Sequence, residues 1–241
     1  MESIRENYLR IIDRIEAVCL RTGRNPKEVQ LVVVTKHQPV EKILQIWQAG
    51  ARQFGENYPE ETDQKVKLID GKISPEWHMI GHIQSRKTKY LVEHFSYIHS
   101  IDRLEIAEKL NQVCKAADKK MPILIEVNIS SETSKFGYDV HEESQLEKLI
   151  CDIEQMKELS YLQLSGLMTM PPLVNDNETN RLIFRRCKEL LVQLQKKTNL
   201  PTLKHLSMGT SQDFEIAIEE GATYIRIGEA IMGKRNLNLN H

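Results

Sequence analysis

Lys36 closes an apolar run over residues 31–35, and its position there could give it a chemical role. A short run of β-branched residues is typical of a strand buried on both faces, and a lysine that ends such a strand emerges at the mouth of a parallel sheet or barrel. Burial lowers the pKa of a lysine because it disfavours the ammonium, and the neutral amine can then attack a carbonyl to form a Schiff base. The alternative is a lysine that only extends from a strand end into solvent.

Two segments near the end of the chain have the composition of a phosphate-binding site. Residues 207–211 combine hydroxyls and a glycine just before a predicted helix, Thr210 and Asp213 have the spacing of a capping box, and Gly228 lets a second stretch of backbone approach. N–H groups at helix starts bind anions, and such sites recur after strands 7 and 8 of barrels. Each loop alone could also be an ordinary helix cap. The two loops together, opposite Lys36, favour a phosphorylated aldehyde as ligand.

The elements that position these residues alternate between strand-like and helix-like patterns. Strands are predicted at 31–35, 52–55, 77–80, 97–100, 123–129, 163–168, 205–208 and 223–227, and helices at 40–48, 59–69, 85–94, 103–117, 142–156, 180–197 and 211–219, with a short helix after Gly228. Eight such units predict an α/β protein with one domain over residues 1–241, a single (β/α)8 TIM-type barrel. A doubly wound open sheet would need a glycine-rich turn after an early strand, and Lys-His-Gln-Pro follows Thr35 instead.

The two ends of the chain lie outside the predicted barrel strands. A helix within residues 1–22, with an apolar stripe that includes Leu9, Ile12 and Ile15, is expected to cover the outside or the floor of the barrel. Residues 236–241 are expected to form a flexible tail, and no C-terminal β domain is expected.

Charge and cysteine usage argue against several classes of protein. With 33 basic and 34 acidic residues, the net charge of −1 provides no field for a nucleic-acid backbone or an anionic membrane. No apolar stretch is long enough to span a bilayer, and the charged N-terminus lacks the core of a signal peptide, so a cytoplasmic protein is expected. The cysteines are widely spaced and are predicted to be buried thiols, and no metal site is expected; they are Cys19, Cys114, Cys151 and Cys187.

Ordered motifs at the predicted strand ends resemble those of one known family. They are Val34-Thr35-Lys36, Phe54-Gly55-Glu56-Asn57-Tyr58, residues 77–84 (Trp-His-Met-Ile-Gly-His-Ile-Gln), Ser134-Lys135-Phe136-Gly137, Gly166-Leu167-Met168, Leu206-Ser207-Met208-Gly209 and Arg226-Ile227-Gly228. On these residues the chain resembles the pyridoxal phosphate homeostasis protein family over nearly its whole length. The resemblance implies a barrel like the N-terminal domain of alanine racemase, pyridoxal 5′-phosphate as cofactor, and a role in carrying or buffering that cofactor without robust turnover.

The same resemblance assigns roles to individual residues. It implies that Lys36 forms the Schiff base, that Ser207 and Gly228 hold the phosphate, that Arg226 faces the pyridine nitrogen, and that Asn57 faces the cofactor. The alternative for Arg226 is an ion pair inside the barrel with Glu56.

Glu229 departs from the family pattern, which usually has a phosphate-binding threonine at this position. A carboxylate beside a phosphate is repulsive unless it turns away, for example toward solvent or Lys234, so the backbone N–H of Glu229 is the expected contact. Lys135 is a candidate for a second, transient cofactor contact, and the alternative is a solvated loop lysine.

Three functions remain distinguishable by experiment. The first is a monomeric cofactor carrier that delivers pyridoxal phosphate to apo-enzymes, with no catalytic residues of its own. The second is a fold-type III enzyme with weak racemase or decarboxylase activity, for which the expected second proton-transfer domain is missing. The third is a Schiff-base aldolase without cofactor, which would show no visible absorbance.

Overall fold

Eight parallel strands close into a barrel in the computed structural model, which describes residues 3–130, 132, 135–172 and 176–233. The strands are β1 (Gln30–Val34), β2 (Gln53–Glu56), β3 (Glu76–Met79), β4 (Tyr97–Ile101), β5 (Met121–Asn128), β6 (Tyr138–Asp139), β7 (Leu162–Met168), β8 (His205–Ser207) and β9 (Tyr224–Ile227). Pairing runs β1-β2-β3-β4-β5-β7-β8-β9 and returns to β1, while the two-residue β6 pairs with β5 outside the ring. The predicted (β/α)8 barrel is confirmed.

The helices form the outer layer of the barrel. They are α1 (Ile4–Arg21), α2 (Val40–Gln48), α3 (Pro59–Ile69), α4 (Thr88–His94), α5 (Leu104–Ala116), α6 (Glu143–Lys157), α7 (Asn177–Thr198), α8 (Phe214–Glu219) and α9 (Glu229–Met232). Their buried faces pack on outward-facing strand residues such as Phe54, Trp77 and Ile98, and each such side chain contributes about 1.5–3 kcal/mol to folding. Among the described residues, no helix is long and apolar enough to cross a membrane.

The predicted N-terminal helix is observed as α1, which packs on the outside of the barrel against α2, α8 and α9. A capping box fixes its start, because Ser3 accepts from the Glu6 N–H at 3.2 Å and Glu6 accepts from the Ser3 N–H at 2.7 Å. The predicted apolar stripe is partly wrong, since Leu9 is 41% exposed and Ile11 is buried in its place. The predicted tail at 236–241 lies outside the described residues.

Several predicted boundaries are corrected by local hydrogen bonding. The helix predicted at 85–94 begins with a 3-10 turn, Ser85–Lys87, before α4. The helix predicted at 211–219 begins only at Phe214, because the Asp213 carboxylate turns back to accept from the Thr210 N–H at 2.6 Å. Three of the four cysteines are buried as predicted, but Cys151 is exposed on α6.

The inner face of the barrel is unusually polar. Barrel interiors are commonly filled by branched apolar side chains. Here polar and aromatic side chains from several strands lie inside the ring, and all except the half-buried Tyr97 are buried; they are His78, Tyr97, His99, Tyr224 and Arg226. Buried polar groups are stable only when hydrogen bonded, so this face must be organised by side-chain pairing.

Candidate functional site at the barrel mouth

Lys36 lies two residues beyond the end of β1 and is half-buried. The ladder continues past the strand, because the Thr35 N–H donates to the Gly55 carbonyl of β2 at 3.0 Å. On the other side the register pairs Val32 with Arg226 of β9, and paired residues share a face. Val32 and Arg226 therefore share the inner face, and Lys36 lies in the turn that follows β1 at the carboxyl end of the barrel.

A buried ion cluster holds the turn in which this lysine lies. The Lys65 ammonium of α3 donates to the Thr35 carbonyl at 2.7 Å, to Glu56 at 2.6 Å and to Glu61 at 2.7 Å. Glu61 also accepts from the N–H of His37 at 2.7 Å, and His37 has a positive φ of 58° that residues other than glycine adopt at some cost. The cluster therefore fixes the backbone on both sides of position 36.

Glu56 belongs to this cluster and not to the barrel interior. Its Oε1 accepts from the Thr35 hydroxyl at 2.6 Å, and its Oε2 is buried without a partner. Burial raises the pKa of Glu56 to about 7, against the opposing effect of Lys65. The predicted alternative of a Glu56–Arg226 ion pair is wrong, because Glu56 points outward to the helix layer.

Arg226 is buried inside the barrel and reaches across two neighbouring strands. Its Nη1 donates to the Ser207 hydroxyl at 2.6 Å and its Nη2 to the Thr169 carbonyl at 3.0 Å. Burial lowers the pKa of Arg226 to about 10, which leaves the guanidinium charged at neutral pH. Among the charged groups that act on Arg226, Glu126 on β5 opposes the effect of burial most strongly, and burial raises the pKa of that carboxyl to about 7.

Ser207 is fully buried, and its hydroxyl is engaged inside the barrel. Besides the bond from Arg226, it lies 2.8 Å from Nδ1 of His99, whose Nε2 lies 2.9 Å from Nδ1 of His78. Burial lowers the pKa of His78 to about 3 and that of His99 well below its ordinary value, so both rings are neutral. Sequence reasoning missed both histidines as site residues.

Ser211 is the hydroxyl that lies at the start of α9. The Ala230 N–H points to its Oγ at 3.4 Å, so the loop after β8 meets the loop after β9. Gly228, which caps α9, packs closely on β1, since a Cβ there would lie 3.3 Å from Cβ of Val34 and would require Val34 to shift by a few tenths of an ångström. The structure thus brings the two predicted phosphate loops together beside β1.

Glu229 follows at the first position of α9, and its side chain is exposed. Lys234, the predicted alternative partner of this carboxylate, lies outside the described residues. Thr210 does not complete the predicted capping box, because its hydroxyl donates to Asp213 at 3.0 Å instead of capping the helix.

Asn57 follows β2, the strand that pairs with β1 on the side away from β9. Its Oδ1 is buried without a hydrogen-bond partner. Gly81 packs against it so closely that a Cβ would lie 2.7 Å from the Asn57 Cα. Both line a cavity of about 340 Å³ that also contacts Glu126, Phe136 and Met170.

Lys135 lies near this cavity, with Nζ 3.4 Å from the Pro171 carbonyl and 3.9 Å from the Glu132 carboxylate. Ser134, its neighbour in the sequence motif, lies outside the described residues. Among the described residues no cluster of histidine, cysteine and carboxylate side chains could hold a metal ion.

Comparison with known proteins identifies the class to which this barrel belongs. The family model of the alanine racemase N-terminal domain matches residues 9–236. An alanine racemase of Clostridium difficile superposes with a TM-score of 0.69 at 16% identity, covering 99% of this chain and 58% of the racemase. At that identity the likeness shows the shared fold alone.

More similar relatives narrow the class to one family. Proteins named pyridoxal phosphate homeostasis protein are 41% identical in Vibrio alginolyticus, over 98% of this chain and 99% of theirs, and 38% identical in Escherichia coli K12, over 98% of both. The structure of PipY from Synechococcus elongatus with pyridoxal phosphate bound is 30% identical, has a TM-score of 0.80, and covers 92% of this chain and 100% of its own. The chain belongs to the pyridoxal phosphate homeostasis protein family.

Proposed function

We propose that this protein binds pyridoxal 5′-phosphate as a Schiff base on Lys36 and holds it for cofactor homeostasis. The observation that supports the proposal is the parallel pairing of β1 with β9, because Lys36 follows β1 at the barrel mouth and Arg226 lies on the inner face of the adjacent strand. Arg226 pairs with Val32, and Lys36 lies four residues further along and two beyond the end of β1, so the separation along the strand direction is at most about 13 Å at the usual rise per residue. A lysine and an arginine side chain span that length with a pyridine ring between them.

The residues at the mouth fit the other groups of the cofactor. For the phosphate, we favour the Ser211 hydroxyl with the backbone N–H groups of residues 228–230, including that of Glu229. The predicted Ser207 is a weaker candidate, because its hydroxyl is fully buried between Arg226 and His99. The unpartnered Oδ1 of Asn57 leaves an amide at the mouth available to a polar group of the ring.

Arg226 supports a carrier function over a catalytic one. A guanidinium beside the pyridine nitrogen keeps that nitrogen unprotonated, since two cations in contact repel each other. The bound ring is then a poorer electron sink, which suits storage better than turnover. Delivery to apo-enzymes, a monomeric state and a cytoplasmic location remain part of this proposal.

Absorbance titration with pyridoxal phosphate tests the proposal. Wild-type protein should develop a visible Schiff-base band and Lys36→Ala should not, whereas Lys72→Ala, at an exposed lysine three residues after α3, should behave as wild type. Sustained turnover of alanine or another amino acid would favour the enzyme alternative. A protein that binds no pyridoxal phosphate at all would refute the proposal.

A further inference from the structure

Four buried side chains form a continuous hydrogen-bonded chain through the barrel interior. It runs from the Arg226 guanidinium to the Ser207 hydroxyl at 2.6 Å, on to His99 at 2.8 Å, and from His99 to His78 at 2.9 Å. The members come from β9, β8, β4 and β3, so the chain crosses the full width of the ring. It ends at Nε2 of His78, which is buried without a partner.

The donor and acceptor groups of the four side chains determine the direction of hydrogen-bond donation along this chain. A guanidinium has only N–H donors, so the Ser207 oxygen accepts from Arg226 and its single O–H is free to donate to Nδ1 of His99. His99 is then protonated on Nε2 and donates to Nδ1 of His78, which leaves His78 with its proton on Nε2. The opposite direction would leave the Ser207 proton without an acceptor, and an unmade buried hydrogen bond is costly.

The surroundings of the two rings preserve this direction. Tyr97 and Tyr224 contact both imidazoles, and His205 contacts Tyr224 from the amino end of the barrel. Burial disfavours a positive charge on His99, and the Arg226 cation, which is joined to His99 through Ser207, disfavours it further. Both rings therefore remain neutral, and His99 offers a lone pair, not a proton, to Ser207.

We propose that His99 and His78 are positioning residues that aim the Arg226 guanidinium at the cofactor through Ser207. The inference rests on the proposed function, because the group that Arg226 faces is the pyridine nitrogen of pyridoxal phosphate. Two N–H groups of the fork are committed to Ser207 and the Thr169 carbonyl, and these two acceptors fix the plane in which its other N–H groups point. If His99 did not hold the Ser207 hydroxyl in one orientation, the Thr169 carbonyl alone would fix the orientation of the Arg226 guanidinium.

The protein without cofactor provides the first test. Long-range nitrogen NMR spectra of the imidazoles should show His99 and His78 as neutral rings protonated on Nε2, with no titration between about pH 5 and 8. Ser207→Ala should shift the nitrogen resonances of His99 and leave those of His205 unchanged. An Nδ1 proton on His99, or its titration in this range, would overturn the direction of the chain.

Variants at position 99 test the effect on the cofactor. His99→Leu removes both hydrogen bonds and should weaken pyridoxal phosphate binding about tenfold, with a new titration of the absorbance spectrum as the ring nitrogen becomes protonatable. His99→Asn keeps an acceptor near Ser207 and should restore affinity and spectrum. His205→Asn, an inner-face histidine outside the chain, is the matched control. Circular dichroism verifies that each variant is folded.

The outcomes separate this inference from the proposed function. If wild type binds no pyridoxal phosphate, the proposed function fails, whatever the nitrogen spectra show. If wild type binds it, and folded His99→Leu and Ser207→Ala keep wild-type affinity and pH profile, the positioning role is refuted. Equal losses in His99→Leu and His205→Asn would refute it as well, since they would indicate a general packing effect.

Discussion

Replacing Lys65 by methionine should destabilise the barrel in a strongly pH-dependent way. The Lys65 ammonium is 6% exposed and donates to two carboxylates and the Thr35 carbonyl within 2.7 Å. Methionine keeps the volume of the side chain but removes all three hydrogen bonds. It leaves Glu56, which is fully buried, without its counter-charge.

The magnitude depends on the protonation of Glu56. Burial raises the pKa of this carboxyl from 4.5 to about 7, so its contribution to stability is complete below pH 4.5 and is lost as pH rises through 7. Lys65 opposes that rise in pKa, so removing Lys65 increases the stability that is lost when Glu56 ionises. At about pH 8 the unpaired carboxylate should cost about 3–5 kcal/mol of unfolding free energy. At about pH 5 Glu56 holds its proton in the folded protein, and the lost hydrogen bonds should cost about 1–2 kcal/mol.

Urea unfolding followed by circular dichroism at both pH values measures the effect. Lys67→Met is the matched control on the same helix, because Lys67 is 73% exposed and pairs only with Asp63 at 2.7 Å. The control should unfold like wild type at both pH values. If Lys65→Met and Lys67→Met lose the same stability, or if the loss from Lys65→Met does not grow with pH, the assignment of a buried ion cluster is refuted.

Three further changes test other parts of the site. Glu126→Gln should be more stable than wild type at about pH 8 and no more stable at about pH 5. The reason is that a carboxyl whose pKa is raised to about 7 loses its stabilising contribution as pH rises. Equal denaturation midpoints of variant and wild type at both pH values would contradict this. Glu229→Thr should bind pyridoxal phosphate more tightly at low salt, with a gain that shrinks as salt is added, and equal affinity would show that this side chain does not act on the phosphate. Lys135→Ala should keep the lysine-bound cofactor but slow its transfer to an apo-enzyme, and unchanged transfer rates would make Lys135 an ordinary loop lysine.

Local patterns were sufficient to predict the barrel and the strand-end residues. A buried β-branched run before Lys36 and a glycine after the last strand are signals within a few residues, and both proved to lie where parallel strands end. Helix starts were less predictable, as at Phe214, because the competing hydrogen bond from the Thr210 N–H to the Asp213 carboxylate depends on how the loop folds.

The interior of the site could not be predicted because it depends on contacts between distant strands. Ser207 pairs with His99 across 108 residues, and nothing near either residue reveals the other. Ser207 ends β8, whereas Ser211 lies in the loop beyond it, and only the fold of that loop brings the Ser211 hydroxyl to the start of α9. One signal was available: Tyr97 and His99 lie two residues apart in a predicted strand, a spacing that puts both on the same face.

The covalent attachment of pyridoxal phosphate to Lys36 is tested most directly by borohydride reduction followed by peptide mapping. Reduction fixes the Schiff base as a stable secondary amine on the lysine that carried it. The modified peptide from wild-type protein should contain Lys36. An adduct found mainly on Lys135, or on any other lysine, would contradict it.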